Sequence, residues 1–460
     1  MKIEQIYTGC LFQASYFIES NGESAVIDPL RESNVYLNKV KKTKSKLKYI
    51  FETHFHADFV SGHITLSKFS GAPIVFGPKA KTNFQSIIAE DLQEFKVGDI
   101  TIKVLHTPGH TIESTTYLLI DNKGRNHCIF TGDTLFLGDV GRPDLAQNNS
   151  DYTPEMQAGM LFDSIQAKIS VLPDDVIVYP AHGAGSACGK NMMKETFDSL
   201  GNQKKINYAL NGSCTRDDFI KILTTDLLEA PSYFPQNVMM NKNGYEDLDN
   251  LLESKKALTV DEFMSFMHLN NTIVLDTRSS ADFSNGHIPN SYFIGLNGSF
   301  APWVGEILKD TNINILLIVD QDKEIEAITR LSRVGFDNCL GYLDGGLSSW
   351  EKSGNKIETI NNISPLDFID IKDEVYTLDV RKKSETSLSS LKNSIKIPLS
   401  NLESKIDLLD NNDSIYIHCA GGYRSMIAAS LLKRNGFNRI IDINRGFSGI
   451  QKCLINSWKK

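Results

Sequence analysis

The sequence reads His54-Phe-His56-Ala-Asp58-Phe59 immediately after an apolar run that ends at Thr53. Imidazole and carboxylate groups at the end of a strand are the ligand types that divalent first-row metals take in proteins. A single His-x-His pair is nevertheless a weak signal in a chain with ten histidines. The prediction therefore depends on whether further ligand types follow other strands.

Three more predicted strands end in such side chains. His110 stands in HTPGHT, Asp133 in FTGDT and His182 in YPAHG, each just beyond an apolar run. Because strand ends on one edge of a sheet converge in space, a metal site is the simplest explanation for the four motifs. A purely structural role for these histidines is the alternative.

Composition and charge narrow the class of protein. The chain has 460 residues, with 48 Lys and Arg against 56 Asp and Glu, a net charge of −8 and a pI near 5.7. This balance disfavours nucleic acid and anionic membranes as partners. The amino-terminal stretch has no apolar leader, the run Ile315–Val319 is too short to span a membrane, and the seven cysteines are scattered. We expect a cytoplasmic, enzyme-sized protein of about two to four domains.

The carboxyl-terminal part contains an internal repeat of about 100 residues. Thr272–Arg278 corresponds to Val375–Arg381, and Tyr342–Ser348 corresponds to Asp442–Ser448. Each copy alternates an apolar strand with a helix, as parallel α/β units do. The Pro- and Asn-rich stretch around 230–250 lacks a helical period and predicts a connection between domains. The predicted domains are residues 1–243, 250–357 and 360–460.

The second copy carries a loop suited to nucleophilic chemistry. Strand Ser414–His418 leads into Cys419-Ala-Gly-Gly-Tyr-Arg424-Ser425. A cysteine between a strand and a helix faces backbone N–H groups and the positive end of the helix dipole, which both stabilise a thiolate. We predict that Cys419 and Arg424 are catalytic. We predict that the rest of the loop surrounds the sulfur carried by Cys419. These residues are Ala420, Gly421, Gly422, Tyr423 and Ser425.

This loop resembles that of the rhodanese family, sulfurtransferases that hold a persulfide on the loop cysteine. The short gap between Cys419 and Arg424 suits sulfur, whereas the longer gap of tyrosine phosphatases gives a wider anion pocket. In the first copy the matching strand leads into Asp320-Gln-Asp-Lys-Glu324, without a cysteine. Residues 250–357 therefore resemble an inactive rhodanese with an architectural role, and we expect a homo-oligomer.

The amino-terminal motifs together resemble the metallo-β-lactamase fold, an αββα sandwich. Glyoxalase II, a binuclear thioester hydrolase of that superfamily, has a histidine where this chain has Phe59, so a second metal site would lose a ligand. The segments GDTLFLGDVGRPDL at Gly132–Leu145 and PAHGAGSACG at Pro180–Gly189 resemble the persulfide dioxygenases of this superfamily more than its hydrolases. That resemblance implies mononuclear non-haem Fe(II) on His54, His110 and Asp133, and oxidation of a thiol persulfide by O2 to thiol and sulfite.

The same resemblance places His56, Asp58 and His182 behind the metal ligands. There they would orient the ligands or handle protons, as polar groups around metal sites commonly do. Direct ligation by these three residues is the alternative.

Two further residues are predicted to bind substrate. Arg142 matches the family position that contacts the anionic thiol carrier, with an ion pair to Asp144 or Asp139 as the alternative. Cys188 either lines the persulfide pocket or is an ordinary buried cysteine.

These resemblances predict an α/β protein with an N-terminal metallo-β-lactamase αββα sandwich followed by two rhodanese-like α/β domains with parallel sheets. Bacterial fusion enzymes that detoxify sulfide have this order. Their chemistry implies that Cys419 passes a sulfane sulfur to sulfite, giving thiosulfate. The implied partners are O2, sulfite and persulfides of glutathione, coenzyme A, bacillithiol or cysteine. Two alternatives stay open: a Zn-dependent glyoxalase II-like thioester hydrolase with an independent rhodanese tail, and a noncatalytic sulfur-carrier scaffold.

Overall fold

The structure, a computed structural model, describes residues 1–145, 151–225, 227 and 229–457. The chain divides into two units, Met1–Asn250 with Ser332–Gly335, and Leu251–Leu331 with Phe336–Lys460. Among the described residues, no helix has the length and apolar character needed to cross a membrane.

Two six-stranded sheets form the centre of the first unit. In one sheet the strands lie in chain order, β1 to β3 antiparallel and β3 to β6 parallel. Its strands are β1 (Lys2–Thr8), β2 (Gln13–Ser20), β3 (Glu23–Ile27), β4 (Lys46–Glu52), β5 (Ile74–Phe76) and β6 (Ile87–Ile88).

The other sheet has the order β12-β11-β10-β9-β8-β7 and is antiparallel except for the parallel pair β10 and β11. Its strands are β7 (Glu94–Val97), β8 (Ile100–His106), β9 (Thr115–Ile120), β10 (Asn126–Gly132), β11 (Ile177–Pro180) and β12 (Asp198–Ser199). Buried side chains of both sheets, among them Tyr16, Phe51 and Phe130, form one apolar core. Because one face of each strand is buried in this core, the register of the strands is fixed. The fixed register in turn sets where the strand ends lie.

Helices complete the sandwich. They are α1 (Ser33–Thr43), α2 (His63–Ser70), α3 (Pro154–Ser164), α4 (Leu200–Ile206), α5 (Arg216–Thr224), α6 (Phe234–Asn243) and α7 (Leu248–Ser254), with a π-helical turn at Ile165–Ile169. The stretch at 230–250, which lacks an apolar helical period, contains α6 and the first part of α7. Pro235 occupies the first turn of α6, where its missing N–H is not needed. The buried face of α6 includes Asn237 and Asn241, so an apolar period is not its signal.

The second unit contains both copies of the repeat, each built on a five-stranded parallel sheet. The strand orders are β13-β17-β16-β14-β15 and β18-β22-β21-β19-β20, which are the same order one repeat apart. The first sheet comprises β13 (Ala257–Leu258), β14 (Thr272–Asp276), β15 (Tyr292–Phe293), β16 (Asn314–Ile318) and β17 (Cys339–Leu343). The second comprises β18 (Asn361–Ile363), β19 (Tyr376–Asp379), β20 (Ile395–Lys396), β21 (Ile415–His418) and β22 (Ile440–Ile443).

The helices of the second unit follow the strands in the α/β alternation that the sequence predicts. They are α8 (Val260–Met267), α9 (Ser280–Asn285), α10 (Phe300–Leu308), α11 (Glu324–Ser332), α12 (Gly346–Lys352), α13 (Pro365–Ile371), α14 (Lys383–Leu388), α15 (Tyr423–Arg434) and α16 (Gly446–Ser457), with 3-10 turns at Leu399–Asn401 and Glu403–Leu408. The predicted fold class, a sandwich followed by two parallel α/β units, is confirmed.

Candidate metal centre and sulfur-transfer loop

The metal-ligand motifs of the first unit lie just beyond strand ends. His54 follows β4, His110 follows β8, Asp133 follows β10 and His182 follows β11. All four side chains are buried, none more than 2% exposed. The sandwich thus brings together residues that are far apart in the sequence.

Three of these residues form a group that could hold one metal ion. The ligand atoms of His54, His110 and Asp133 lie within 4.8 Å of one another. Oδ2 of Asp133 is 3.5 Å from Nε2 of His110 and 4.0 Å from Nε2 of His54. This oxygen is buried without a hydrogen-bond partner among the described residues. An unpartnered buried carboxylate oxygen facing two imidazoles fits a cation between them.

Both histidines are fixed through their Nδ1 atoms. Nδ1 of His110 lies 2.7 Å from the Arg142 carbonyl, which can only accept, so this nitrogen carries the proton. The Thr53 hydroxyl donates to Oδ2 of Asp28 (2.9 Å) and accepts from Nδ1 of His54 (2.9 Å). Nε2 is therefore the free ligand atom of each imidazole, in the tautomer that a metal requires.

The charge states of the group also suit a metal. Burial and the neighbouring His56 hold the pKa of His54 well below its ordinary value. Burial raises the pKa of Asp133, but the three histidines around it outweigh burial and hold that pKa far below its usual range. A neutral imidazole beside an ionised carboxylate is what metal binding needs.

His182 lies between two carboxylates. Its Nδ1 is 2.7 Å from Oδ1 of Asp133, and its Nε2 is 2.8 Å from Oδ2 of Asp58. Burial lowers the pKa of His182, but Asp133 and Asp58 outweigh it and raise that pKa to about 10. Together with Cys188, Asp58 and His182 form a second buried group of potential ligands. Burial and the two carboxylates hold the pKa of Cys188 well above its ordinary value, which favours the thiol.

His56 takes a different direction from His54. Its Nε2 lies 3.2 Å from Oδ1 of Asp28 and 3.5 Å from Oε2 of Glu52. Burial lowers the pKa of His56, but the two carboxylates outweigh it and raise that pKa well above its ordinary value. The ring centroid of Phe59 is 4.4 Å from that of His56, and Phe59 is completely buried. These contacts favour a protonated His56, which stabilises the loop that carries His54 by its interactions with Asp28 and Glu52.

Arg142 is buried in an ion pair with Asp144. Its Nε and Nη2 each donate to one carboxylate oxygen of Asp144 at 2.6 Å. This is the ion pair that the sequence offered as the alternative to substrate binding, and its partner is Asp144 rather than Asp139. The backbone of Arg142 also reaches the site, since its carbonyl accepts from His110 and its N–H donates to the Cys188 carbonyl (3.0 Å). The sequence contains no signal for this backbone role.

The predicted sulfur-transfer loop connects β21 with α15 in the second copy. Cys419 is 1% exposed, and the N–H of Gly422 donates to its Sγ at 3.1 Å. Gly422 has φ 104°, a conformation that favours glycine. Arg424 is held by Glu385 through two hydrogen bonds of 2.6 and 2.7 Å. Glu385 was not predicted from the sequence, although it lies close to the predicted catalytic pair.

Two family models match the two units. Residues 8–182 match the metallo-beta-lactamase superfamily, and residues 259–353 and 366–453 each match the rhodanese-like domain. A probable hydroxyacylglutathione hydrolase from Schizosaccharomyces pombe is 30% identical over 205 residues, covering 44% of this chain and 73% of the relative. The chain belongs to the metallo-beta-lactamase superfamily.

Two more relatives of this superfamily member are informative. The human mitochondrial persulfide dioxygenase ETHE1 is 28% identical over 224 residues, covering 48% of this chain and 79% of that protein. A crystal structure of a metallo-beta-lactamase from Staphylococcus aureus subsp. aureus COL aligns with a TM-score of 0.65 and 30% identity. It covers 74% of this chain and 98% of that one. The relatives therefore include both a hydrolase and a dioxygenase, so the distinction between the two depends on the site.

Asn241 is a residue of the metallo-beta-lactamase unit that the sequence did not reveal. Its Nδ2 donates to the carbonyls of His56 (2.8 Å) and Phe59 (2.9 Å), and its Oδ1 accepts from the N–H of Ser61 (2.9 Å). The side chain therefore fixes the loop that carries the first ligand motif. The available signal was the pair of asparagines one turn apart, Asn237 and Asn241, on what is a buried helix face.

Proposed function

We propose that the first unit oxidises a low-molecular-weight thiol persulfide and that the second rhodanese copy converts the product to thiosulfate. In the first reaction R–S–SH, O2 and water give R–SH, sulfite and two protons. In the second, sulfite takes a sulfane sulfur from another persulfide. The proposal depends chiefly on the His54, His110 and Asp133 group, in which both Nε2 atoms and one carboxylate oxygen face one another.

These three residues would hold a mononuclear Fe(II) ion. Two imidazoles and one carboxylate are the donor set of non-haem Fe(II) oxygenases, in which the metal supplies open positions for O2 and for a substrate atom. Thr53 and the Arg142 carbonyl keep the two Nε2 atoms aimed at that position. His182 holds protons at Nδ1 and Nε2, toward Asp133 and Asp58, and so balances the charge of the site.

The sulfur transfer takes place at Cys419. Its thiolate attacks the outer sulfur of R–S–SH, a new S–S bond forms, and R–S⁻ leaves and takes up a proton. Sulfite then attacks the outer sulfur of the Cys419 persulfide, and the thiolate leaves with the bonding electrons as thiosulfate forms. The Gly422 N–H lies where it stabilises the negative sulfur in both steps.

A Zn-dependent thioester hydrolase is the second candidate. The hydroxyacylglutathione hydrolase relative and the additional group Asp58, His182 and Cys188 favour it. Phe59 speaks against it, because a buried phenyl ring stands at the position where the hydrolase pattern has a metal-binding histidine.

Oxygen uptake separates the two candidates. We expect the purified protein loaded with Fe(II) to consume O2 when glutathione persulfide or coenzyme A persulfide is added, and the His110→Ala variant to consume none. The proposal would be wrong if protein shown to contain iron consumed no O2 with these persulfides, while a protein with two zinc ions hydrolysed a glutathione thioester.

A further inference from the structure

One face of α15, the helix that follows the sulfur-transfer loop, packs on a segment of the first rhodanese copy. This docking segment is Asn290–Gly298. The Tyr423 hydroxyl donates to the Gly295 carbonyl at 2.7 Å, and the Ser430 hydroxyl accepts from the N–H of Phe293 at 3.1 Å. The two α15 residues are seven positions apart and therefore share one face of the helix.

The far end of the same face is also docked. The guanidinium of Arg434 lies 3.8 Å from the ring centroid of Tyr292 and donates to the Asn290 carbonyl. Contacts therefore run from the first residue of α15 to its last.

The docking segment is fixed to its own sheet in the first copy. The N–H groups of Ile294 and Leu296 donate to the carbonyls of Asp276 (3.0 Å) and Thr277 (2.9 Å) at the end of β14. Arg330 of α11 donates to the Leu296 carbonyl at 2.8 Å. The segment is thus braced on two sides, so it can act as a rigid support.

The supported residue adjoins the reactive sulfur. Tyr423 is the first residue of α15, and the preceding residue, Gly422, supplies the N–H that donates to Sγ of Cys419. Because the chain is continuous through Gly422 and Tyr423, a displacement of the ring that moves the Tyr423 backbone moves this N–H as well.

We propose that the first rhodanese copy is a positioning element for the sulfur-transfer loop, and that it acts by holding Tyr423 and so the Gly422 N–H that contacts Cys419. The inference rests on the proposed sulfur-transfer role of Cys419. It gives the copy whose loop lacks a cysteine a defined task in the chemistry of the other copy. Tyr423 is the positioning residue in this scheme.

Gly298 shows how closely the segment fits the ring. A Cβ added at Gly298 would lie 2.6 Å from Cε2 and Cζ of Tyr423. Gly298 does not have a left-handed φ, so alanine suits its backbone, and the three atoms nearest the added methyl group all belong to the Tyr423 ring. The substitution Gly298→Ala therefore moves Tyr423 with little other disturbance.

The effect of Gly298→Ala on Cys419 can be distinguished from a change in the charges around that cysteine. The charged and titratable groups near Cys419 include Arg424 with its partner Glu385, the pair of Asp379 and Arg381, and the adjacent His418. The docking segment, Asn-Ser-Tyr-Phe-Ile-Gly-Leu-Asn-Gly, contains no charged side chain. Gly298→Ala alters no charged side chain, so we attribute a change of Cys419 reactivity in this variant to the backbone and Tyr423.

The test follows alkylation of Cys419 in the full chain by iodoacetamide as a function of pH, with the modified peptide quantified by mass spectrometry. We expect Gly298→Ala to move the midpoint of the profile upward by about one pH unit, the worth of a weakened hydrogen bond to a charged group. Asn297→Ala, in the neighbouring exposed position, is the matched control and should leave the midpoint unchanged. An unchanged midpoint in Gly298→Ala would overturn the proposal.

A second comparison keeps the result specific to Tyr423. In a Tyr423→Leu background the ring is absent, so Gly298→Ala should have no further effect on the profile. An equal shift in both backgrounds would show that the methyl group acts by another route and would contradict the proposal. Loading of wild-type Cys419 with persulfide sulfur is measured separately, since its absence would refute the sulfur-transfer role rather than the positioning.

Discussion

The two rhodanese copies share a scaffold and differ in one loop. In the first copy Arg278 donates through Nε and Nη2 to Asp276, at 3.0 and 2.6 Å, and through Nη2 to the Gly286 carbonyl. In the second copy Arg381 makes the same contacts with Asp379, at 2.9 and 2.6 Å, and with the Ser389 carbonyl. An arrangement present both in the copy whose loop has a cysteine and in the copy whose loop lacks one belongs to the fold rather than to the chemistry.

The loops after β16 and β21 show the difference. In the first copy the loop after β16 closes by a hydrogen bond from Lys323 N–H to the Asp320 carbonyl (3.1 Å). In the second copy the corresponding loop directs the Gly422 N–H at Cys419 Sγ. One strand-to-helix turn therefore carries the proposed sulfur chemistry, while the rest of the copy holds that turn in place.

The largest expected effect comes from removing the nucleophile. Cys419→Ser should reduce enzymatic thiosulfate formation by about 1,000-fold or more, because no other group in the loop can carry the sulfur. Oxygen uptake should stay near the wild-type rate, and sulfite should accumulate. Cys453→Ser, outside any motif, is the control. Thiosulfate formation at the wild-type rate in Cys419→Ser would remove the functional difference between the copies.

The shared Asp–Arg pair should matter equally for stability in both copies. Asp276 and Asp379 are completely buried, so replacing either with alanine leaves a largely buried arginine without its carboxylate partner. We expect Asp276→Ala and Asp379→Ala each to lower the free energy of unfolding by about 3–5 kcal/mol. Urea denaturation measures both. A loss confined to sulfur transfer, found only for Asp379→Ala, would place the pair in the chemistry instead.

A pH-dependent difference is expected at Asp442, whose counterpart in the first copy is Tyr342. Burial raises the pKa of Asp442 to about 7, partly offset by Ser425, from an ordinary value of 3.8. The folded state therefore keeps this proton while the unfolded state has lost it, so stability falls as the pH rises from about 4 to about 7.

Asp442→Asn cannot ionise and should escape this loss. Between about pH 5 and pH 8 the variant should gain roughly 2–3 kcal/mol in unfolding free energy relative to wild type. Urea denaturation at both pH values measures the gain, and Tyr342→Phe in the first copy is the control. A constant difference between variant and wild type across this range would contradict the prediction.

The smallest effect is expected at Arg424. Its planar fork binds both oxygens of Glu385, a geometry that lysine cannot reproduce. We expect Arg424→Lys to lower kcat/KM for sulfite by about tenfold, with the positive charge retained. Steady-state thiosulfate formation at varied sulfite measures it. A variant as active as wild type would show that only the charge, and not the fork, is used.

Local patterns in the sequence predict much of this molecule. Strands, turns and the motifs at His54, His110 and Asp133 follow from residues close together in the chain, and so does the Cys419 loop. The repeat also predicts two like sheets, because each copy has the same alternation of strand and helix. These features depend on short-range patterning, which one sequence displays directly.

The supporting contacts were not predictable in the same way. Asn241 reaches the loop of His56 from more than 180 residues away, and Glu385 meets Arg424 across 39 residues. Asp28 and Thr53 orient His54 through side chains whose proximity depends on the pairing of β3 with β4. Such contacts arise from tertiary packing, and no local period marks them.

The stoichiometry of the reaction tests whether persulfide oxidation and sulfur transfer are coupled in this chain. When O2, persulfide and thiosulfate are measured in one reaction of the Fe(II)-loaded protein, we expect one thiosulfate to form for each O2 consumed, with two persulfides used. The same measurement on Cys419→Ser should give sulfite in place of thiosulfate at an unchanged O2 rate. Persulfide consumption without any O2 uptake, in protein shown to contain iron, would contradict the proposed persulfide oxidation.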